Sequence, residues 1–478
     1  MNWKLIVTIL CIYGFFKEFR PLEPFLTPYL RSALKNFTDV QLYSQVYPVW
    51  TYSYLAALVP VFLLTDLLRY NIILILGALM YGCTWILLIY GNTIGHMQAM
   101  QFVYGLATAT EIAYYAYAYA AIDSEHYKKA TSYVRCVVEC GRFCSYTFGQ
   151  TLISTKVLAY MDLNYIAMAG SILILVIALC LPCISWKRSM DRIRDTDKEP
   201  TRALGSEEME LLKGGSQRDK KTEMTDQKLE SVEQGEKKHQ VKTYCQFVQF
   251  YINNLWITFK KIHSTTFMWK WSLWCALATC GMLQVTNYIQ TLWDTVQTSE
   301  GDVWNGIVEA INTFLAAVIV VCLQFLTTHW EIWGECALAV ISIIDCALLI
   351  IISQIYNLVV IYILYIIFRV LYETMFTIAM YNIAKNLSTE SFGLVFGFNT
   401  FVALVLQTIL TISVADERGF ALDIRHQFIV YGVYHGLISI AFLCIGIHTL
   451  VVYFRESHAA QTSARPFSEE IEPAKVSC

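Results

Sequence analysis

Charge is scarce in this chain. Lys, Arg, Asp and Glu supply 15% of its 478 residues, against 56% for the hydrophobic types, and the mean hydropathy is +0.46. A soluble protein with that balance would expose more apolar surface than its volume could hide, so a water-soluble globular fold is excluded. The formal net charge of −3 is crowded into a few segments with no basic face, which argues against nucleic acid as a partner. Catalytic signatures are also missing: there is no P-loop for nucleotide phosphates, no Gly-x-Ser-x-Gly elbow and no His-Glu-x-x-His zinc helix. A pump driven directly by ATP is disfavoured, and the chain reads as a non-enzyme with no cofactor or metal.

Long apolar runs take the place of these motifs. Stretches of about 20 residues, enough to cross a ~30 Å hydrocarbon core, fall at 4–19, 46–65, 71–91, 97–122, 131–155 and 163–185. A second set falls at 267–291, 303–327, 333–353, 356–384, 391–415 and 427–454. They predict an all-α polytopic membrane protein with about twelve transmembrane helices in two six-helix halves. Residues 1–186 form the N-terminal half, 267–454 the C-terminal half and 455–478 a cytoplasmic tail. No small-residue cleavage site follows Phe15-Phe16-Lys17-Glu18-Phe19-Arg20, so the first run is read as a retained helix.

Residues 187–266 are different material. Between Met190 and His239 they are dense in Lys, Arg, Glu, Asp, Gln and Ser and lack aromatics, so they bury too little apolar area to offset chain entropy. They are read as a disordered cytoplasmic linker, with a regulatory binding segment as the alternative.

The Lys/Arg bias of short loops sets the orientation. Arg69, Lys128, Lys129, Arg135 and Lys385 fall on one side, whereas the loops at 91–96, 292–302 and 354–356 carry no Lys or Arg. Both termini are predicted to be cytoplasmic. Arg31 and Lys35, in the first external loop, depart from the rule. Of two sequons, Asn36-Phe37-Thr38 falls outside and Asn386-Leu387-Ser388 inside, so only Asn36 is expected to be a glycosylation site, if either is used.

Cysteine is plentiful, at 15 residues, but nearly all of it lies in the apolar runs. Cys136, Cys140 and Cys144, with Gly141 among them, make a small-residue stripe suited to helix packing, a reading that outweighs a metal site. Cys180-Leu181-Pro182-Cys183 has redox-motif spacing without the soluble βαβ context that motif needs, and Cys183 is also open to palmitoylation.

The most informative feature is one acid in an aromatic run, Thr110-Glu111-Ile112-Ala113-Tyr114-Tyr115-Ala116-Tyr117-Ala118-Tyr119. A charge near the bilayer centre costs roughly 2.5–3.5 kcal/mol on insertion scales, so such residues line a pathway or pair with something. Glu111, Tyr114, Tyr115 and Ala118 share one helical face, with Tyr117 on another. Asn305, Glu309 and Asn312 share a face of the eighth run, and Gln284, Asn287 and Thr291 a face of the seventh. Polar faces converging on an interior cavity are how secondary transporters build sites near the midplane. For the Asn and Gln residues, hydrogen bonding between helices explains the pattern as well as ligand contact does. For Glu111 and Glu309 ligand contact is the better reading, because charge is harder to hide. Glu139 with Arg142, Arg369 with Glu373 and Asp66 with Arg69 read as neutralising or capping pairs, Arg369 being also available to an anionic ligand. Glu335 and Asp345 have no evident partner.

Pro48-Val49-Trp50-Thr51-Tyr52-Ser53-Tyr54-Leu55, followed by Val59-Pro60-Val61-Phe62-Leu63-Leu64-Thr65-Asp66 and Arg69-Tyr70, resembles the signature of the solute-carrier family that contains the reduced folate carrier and the thiamine transporters. Arg20-Pro21-Leu22-Glu23-Pro24-Phe25, Trp271-Ser272-Leu273-Trp274, Leu394-Val395-Phe396-Gly397-Phe398-Asn399-Thr400-Phe401 and Asp416-Glu417-Arg418-Gly419 extend the resemblance through both halves, leaving linker and tail unmatched. It implies a major-facilitator-like carrier in the plasma membrane, alternating access around a central site for a small-molecule vitamin.

The substrate follows from charge. Folate is a dianion and calls for basic groups; thiamine is a cation and calls for carboxylates and aromatic faces. Folate carriers of this family typically have Arg at the position matching Glu111 and Lys at that matching Gln407, whereas Glu111 to Tyr117 resembles the thiamine branch. By that resemblance Glu111 pairs with the ligand, Tyr114 and Trp50 pack on its rings, Asn287 and Glu309 complete the pocket, and Glu23 joins from the first helix. Glu139 and Arg142 depart from the family, whose fifth helix is usually neutral. Thiamine is the expected substrate and reduced folate the alternative within the family. A transporter-like receptor or scaffold without net transport is the alternative of another class.

Overall fold

The computed structural model describes residues 3–65, 70–122, 126–182, 265–297, 303–323, 330–385 and 392–463, with scattered positions between 249 and 260. Asp66 with Arg69, Cys183, the Asn386 sequon, nearly all of the 187–266 linker and the tail beyond 463 lie outside the described residues.

Among the described residues the regular structure is all helical. This is what apolar runs in lipid require, since each backbone N–H and C=O must find its partner within its own segment. The chain forms α1 (Trp3–Glu18), α2 (Leu26–Arg31), α3 (Tyr47–Thr65), α4 (Tyr70–Tyr90), α5 (Ile94–Ala109), α6 (Glu111–Ala121), α7 (Tyr127–Ser154) and α8 (Tyr160–Cys180). Beyond the linker follow α9 (Thr266–Val296), α10 (Asn305–Leu323), α11 (Trp330–Gln354), α12 (Leu358–Lys385), α13 (Phe392–Val414) and α14 (Ile424–Ser463).

Most apolar runs coincide with one helix to within a few residues. The fourth run is divided at Thr110 into α5 and α6, and the last helix continues past the expected end at 454 into the segment read as tail. Among the described residues seven helices, α4, α8 and α10–α14, are long and apolar enough to cross a membrane by length and composition. Those that fall short include the three that carry Lys17, Glu111 and Arg142: α1 has 16 residues and α6 only 11, while α7 holds Glu139 and Arg142.

In the N-terminal group α1 packs on α7 and α8, α4 on α5 and α8, and α3 on α5; in the C-terminal group α11 packs on α14 and α12, and α9 on α13, α12 and α14. The groups meet where α7 lies against α10 and α3 against α13. One core, containing Leu10, Tyr13, Leu74, Tyr114, Tyr117 and Val138, fills the space among the N-terminal helices. A second runs from Phe25 and Tyr29 into Trp271, Tyr288, Trp293 and Tyr365.

Polar contacts join the groups at the end of the bundle that carries the 24–47 segment. Gln290 Nε2 donates to Glu23 O at 2.9 Å, Asn305 Nδ2 to Pro24 O at 3.1 Å, and Gln150 Nε2 to Val303 O at 2.7 Å. Both cations that depart from the loop-charge rule have structural partners here. Arg31 pairs with Asp294 and, at 3.3 Å, with Asp39. Lys35 Nζ donates to Ile89 O (2.9 Å), Gly91 O (2.5 Å) and Asn92 Oδ1 (3.1 Å), a cation on the C-terminal carbonyls of α4 where the helix dipole favours it. Burial at this spot pushes its ammonium below the usual lysine range.

Candidate functional site

The break at Thr110 positions the key acid. The Thr110 N–H and hydroxyl both turn back to Ala107 O, at 3.1 and 2.7 Å, and α6 begins with Glu111. Gly77 of α4 makes the room, since a Cβ there would stand 2.2 Å from Thr110 Oγ1. Glu111 therefore sits at the N-terminal end of a half-helix, where the dipole attracts negative charge, the arrangement that discontinuous transporter helices use.

Glu111 has a partner. Lys17 Nζ, at the end of α1, stands 2.7 Å from Glu111 Oε1 and 2.9 Å from Glu18 Oε1, and 5.2 Å from the centroid of the Tyr114 ring. Lys17 and Glu18 are 3% and 1% exposed, while Glu111 is 28% exposed. The second oxygen of Glu18 accepts from Arg20 Nη2 at 2.8 Å and Arg142 Nε at 2.9 Å. Three cations thus converge on one buried carboxylate, which is tenable because an unpartnered charge at that depth would cost several kcal/mol. Arg142 also keeps the expected pairing with Glu139, at 3.3 Å.

The aromatic residues divide into closed and accessible ones. Tyr114 is 1% exposed; its hydroxyl donates to Leu10 O at 2.9 Å and its ring stacks on Tyr13 at 5.4 Å. The half-buried Tyr115, 5.2 Å from it, is the more accessible ring. Tyr117, expected on a separate face, is fully buried with its hydroxyl on Pro182 O. Trp50 is half-buried, donates Nε1–H to Thr108 Oγ1 at 3.3 Å and lies near the Tyr54 and Tyr104 rings, at 5.7 and 6.5 Å. Glu23 accepts from Tyr104 (3.1 Å) and Tyr146 (3.0 Å) and lies 3.5 Å from Arg20.

On the C-terminal side, Glu309 accepts from the Tyr365 hydroxyl at 3.0 Å. Arg369 donates to Thr286 Oγ1 at 3.3 Å and stands 3.6 Å from Glu373, the pairing expected from their spacing. Asn287 Nδ2 and both amide atoms of Gln407 are buried without a hydrogen-bond partner among the described residues, so they are polar groups with capacity to spare. Gln284 and Asn305 behave otherwise. Gln284 bonds Tyr431 and Thr411, and Asn305 bonds Pro24 and Tyr362, which is the interhelical alternative. Glu335 also finds a partner, Lys270 at 2.9 Å, and Asp345 lies 3.8 Å from His435 Nδ1.

Sequence reasoning missed Lys17, Glu18 and Arg20. They stood at the end of an apolar run, where charges ordinarily mark its exit into water. The available signal was their alternating sign immediately before Pro21 and Glu23.

The architecture is a fold shared with solved membrane transporters. It matches the nucleoside transporter NupG with a TM-score of 0.57 at 13% identity, over 93% of this chain and 99% of that one. A peptide transporter POT solved with sulfate matches at 0.59 and 10%, over 93% and 94%. Such identities show the fold alone, and sequence carries the assignment further. The model of the family described as "Reduced folate carrier" matches residues 1–430. The chain is 39% identical to Folate transporter 1 of Caenorhabditis elegans, over 98% of both chains. It is 37% identical to Thiamine transporter 1 of Mus musculus, over 96% of this chain and 93% of that one, and to that of Homo sapiens, over 97% and 93%. The chain belongs to the reduced folate carrier family.

Proposed function

We propose that this protein is a secondary transporter that imports a vitamin across the plasma membrane, thiamine before reduced folate, by alternating access of two six-helix halves with both termini in the cytoplasm. The observation that carries the choice is the charge balance, among the described residues, of the two clusters that contain Glu111 and Glu309. Six carboxylates (Glu18, Glu23, Glu111, Glu139, Glu309, Glu373) stand among four cations (Lys17, Arg20, Arg142, Arg369), a formal excess of two negative charges. A cation entering such a site is attracted, and aromatic faces such as Trp50 and Tyr115 add to that attraction. In this reading Glu111 and Glu309 take the ligand's positive or protonated groups, Trp50 and the half-buried Tyr115 flank its rings in place of the Tyr114 expected from the sequence, which is buried against Tyr13 and Leu10, Asn287 donates to it and Glu23 closes the N-terminal side.

One observation favours folate instead. Lys17, Arg20 and Arg142 gather around Glu18 in the N-terminal group, and Lys17 already neutralises Glu111. The deciding experiment is uptake of labelled thiamine and labelled reduced folate by cells expressing the chain, each competed by the other. Saturable thiamine uptake that excess folate leaves intact supports the proposal. Folate uptake with no thiamine uptake replaces it, and binding without saturable uptake of either returns the receptor reading.

A further inference from the structure

We propose that Lys17 is a built-in rival for the ligand's positive charge and thereby sets how strongly the site prefers a cation. This rests on the reading of Glu111 as the ligand's counter-ion. A carboxylate beside an aromatic ring is what a cationic ligand would seek, and in this structure the Lys17 ammonium occupies that combination, 2.7 Å from Glu111 Oε1 and 5.2 Å from the Tyr114 ring centroid.

The surroundings let the rival step back. Lys17 is also 2.9 Å from Glu18 Oε1, so it keeps a carboxylate when Glu111 turns to a ligand. Arg20 and Arg142 occupy the other oxygen of Glu18, leaving Oε1 to Lys17. Glu111 is the exposed end of this chain of charges: its side chain is 28% exposed against 3% for Lys17, and Oε2 takes no hydrogen bond from the described residues. A ligand therefore reaches Glu111 from the open side while Lys17 holds it from the buried side. Two cations on one carboxylate repel each other, so a charged ligand binds less tightly than it would to Glu111 alone. An uncharged ligand feels no such penalty.

The test compares Lys17→Met with the parent, at matched surface levels and at a pH of about 8 where a free aminopyrimidine is neutral, using two probes: labelled thiamine, and as competitor the hydroxymethyl aminopyrimidine half of thiamine, which lacks the permanent thiazolium charge. The KM for thiamine is expected to fall roughly tenfold in Lys17→Met, while the inhibition constant of the aminopyrimidine stays within about twofold. Lys17→Arg, which keeps the charge, should retain the parent's ratio of thiamine KM to aminopyrimidine inhibition constant, whatever its overall rate. An unchanged thiamine KM, or a parallel shift for both probes, overturns the proposal. Lys17→Gln, which retains a donor toward Glu111, provides a second neutral variant read by the same criteria. If neither neutral variant reaches the surface, Lys17 is a structural cation and the proposal falls. A parent that takes up reduced folate and ignores thiamine defeats the underlying reading instead, and shows it without any variant.

Discussion

Arg31 on α2 and Asp294 on α9 form an ion pair between positions 263 residues apart, with Asp39 as a second acceptor 3.3 Å from the guanidinium. Around it, Tyr52 donates to Asp416 at 2.6 Å and Gln45 to Glu417 at 2.8 Å, so the N- and C-terminal groups are stitched together by polar contacts at this end. Alternating access requires such a seam to part in each cycle. Contacts of this kind suit that, since partly exposed pairs contribute only about 0–1 kcal/mol each.

If the seam is part of the cycle, Arg31→Asp, which sets like charges against Asp294 and Asp39, should lower maximal uptake a few-fold with little change in KM. Combining it with Asp294→Arg should restore much of the loss. Uptake kinetics corrected for surface level decide this, and a double variant no better than the single one would rule out Asp294 as the working partner.

Glu111→Gln keeps shape and removes charge. If Glu111 is the counter-ion of a cationic ring system in a site of low effective dielectric, that change should weaken thiamine uptake by roughly 10- to 100-fold. Glu309→Gln should act in the same direction. Tyr114 and Tyr117 are poor probes of binding, because both are buried, 1% and 0% exposed, and truncating either to Ala should first lower the amount of folded protein. A Glu111→Gln protein that transports thiamine like the parent, at equal surface level, would defeat the cation-site reading.

Close packing of α3 on α5 depends on Gly105. A Cβ there would stand 1.9 Å from Ser53 Oγ and 2.9 Å from both Trp50 O and Tyr54 N, and backbone atoms cannot rotate away. Gly105→Val should cost about 1–3 kcal/mol or more and disturb the placement of Trp50. Gly82→Val, with nothing within 4 Å of the added Cβ, is the matched control. Thermal unfolding of the detergent-solubilised proteins should separate them, and equal melting temperatures would count against the packing argument.

Asn36 is exposed and has φ 55°, a left-handed conformation that Asn tolerates, next to the buried Phe37. Asn36→Gln should abolish any glycan-dependent mobility shift, and a change at Asn386 should leave it intact. A shift lost only with Asn386 would reverse the orientation.

The positions of the helices were legible in the sequence because a bilayer makes secondary structure local: each run must satisfy its own backbone, so length and hydropathy locate it. Glu111 was legible for the same reason, as a charge where charge is costly, and the motifs from Arg20 to Gly419 carried the family. Its partner was not. Lys17 and Glu111 lie 94 residues apart, Arg142 and Glu18 124 apart, and no periodicity links them. Only the packing of α1 against α6 and α7 decided which cation meets which acid, and it turned Tyr114 toward Tyr13 and Leu10. Helical period reports which face a residue occupies. What that face touches is set by neighbouring helices, where a buried charge is held only by the opposite charge that packing brings within reach.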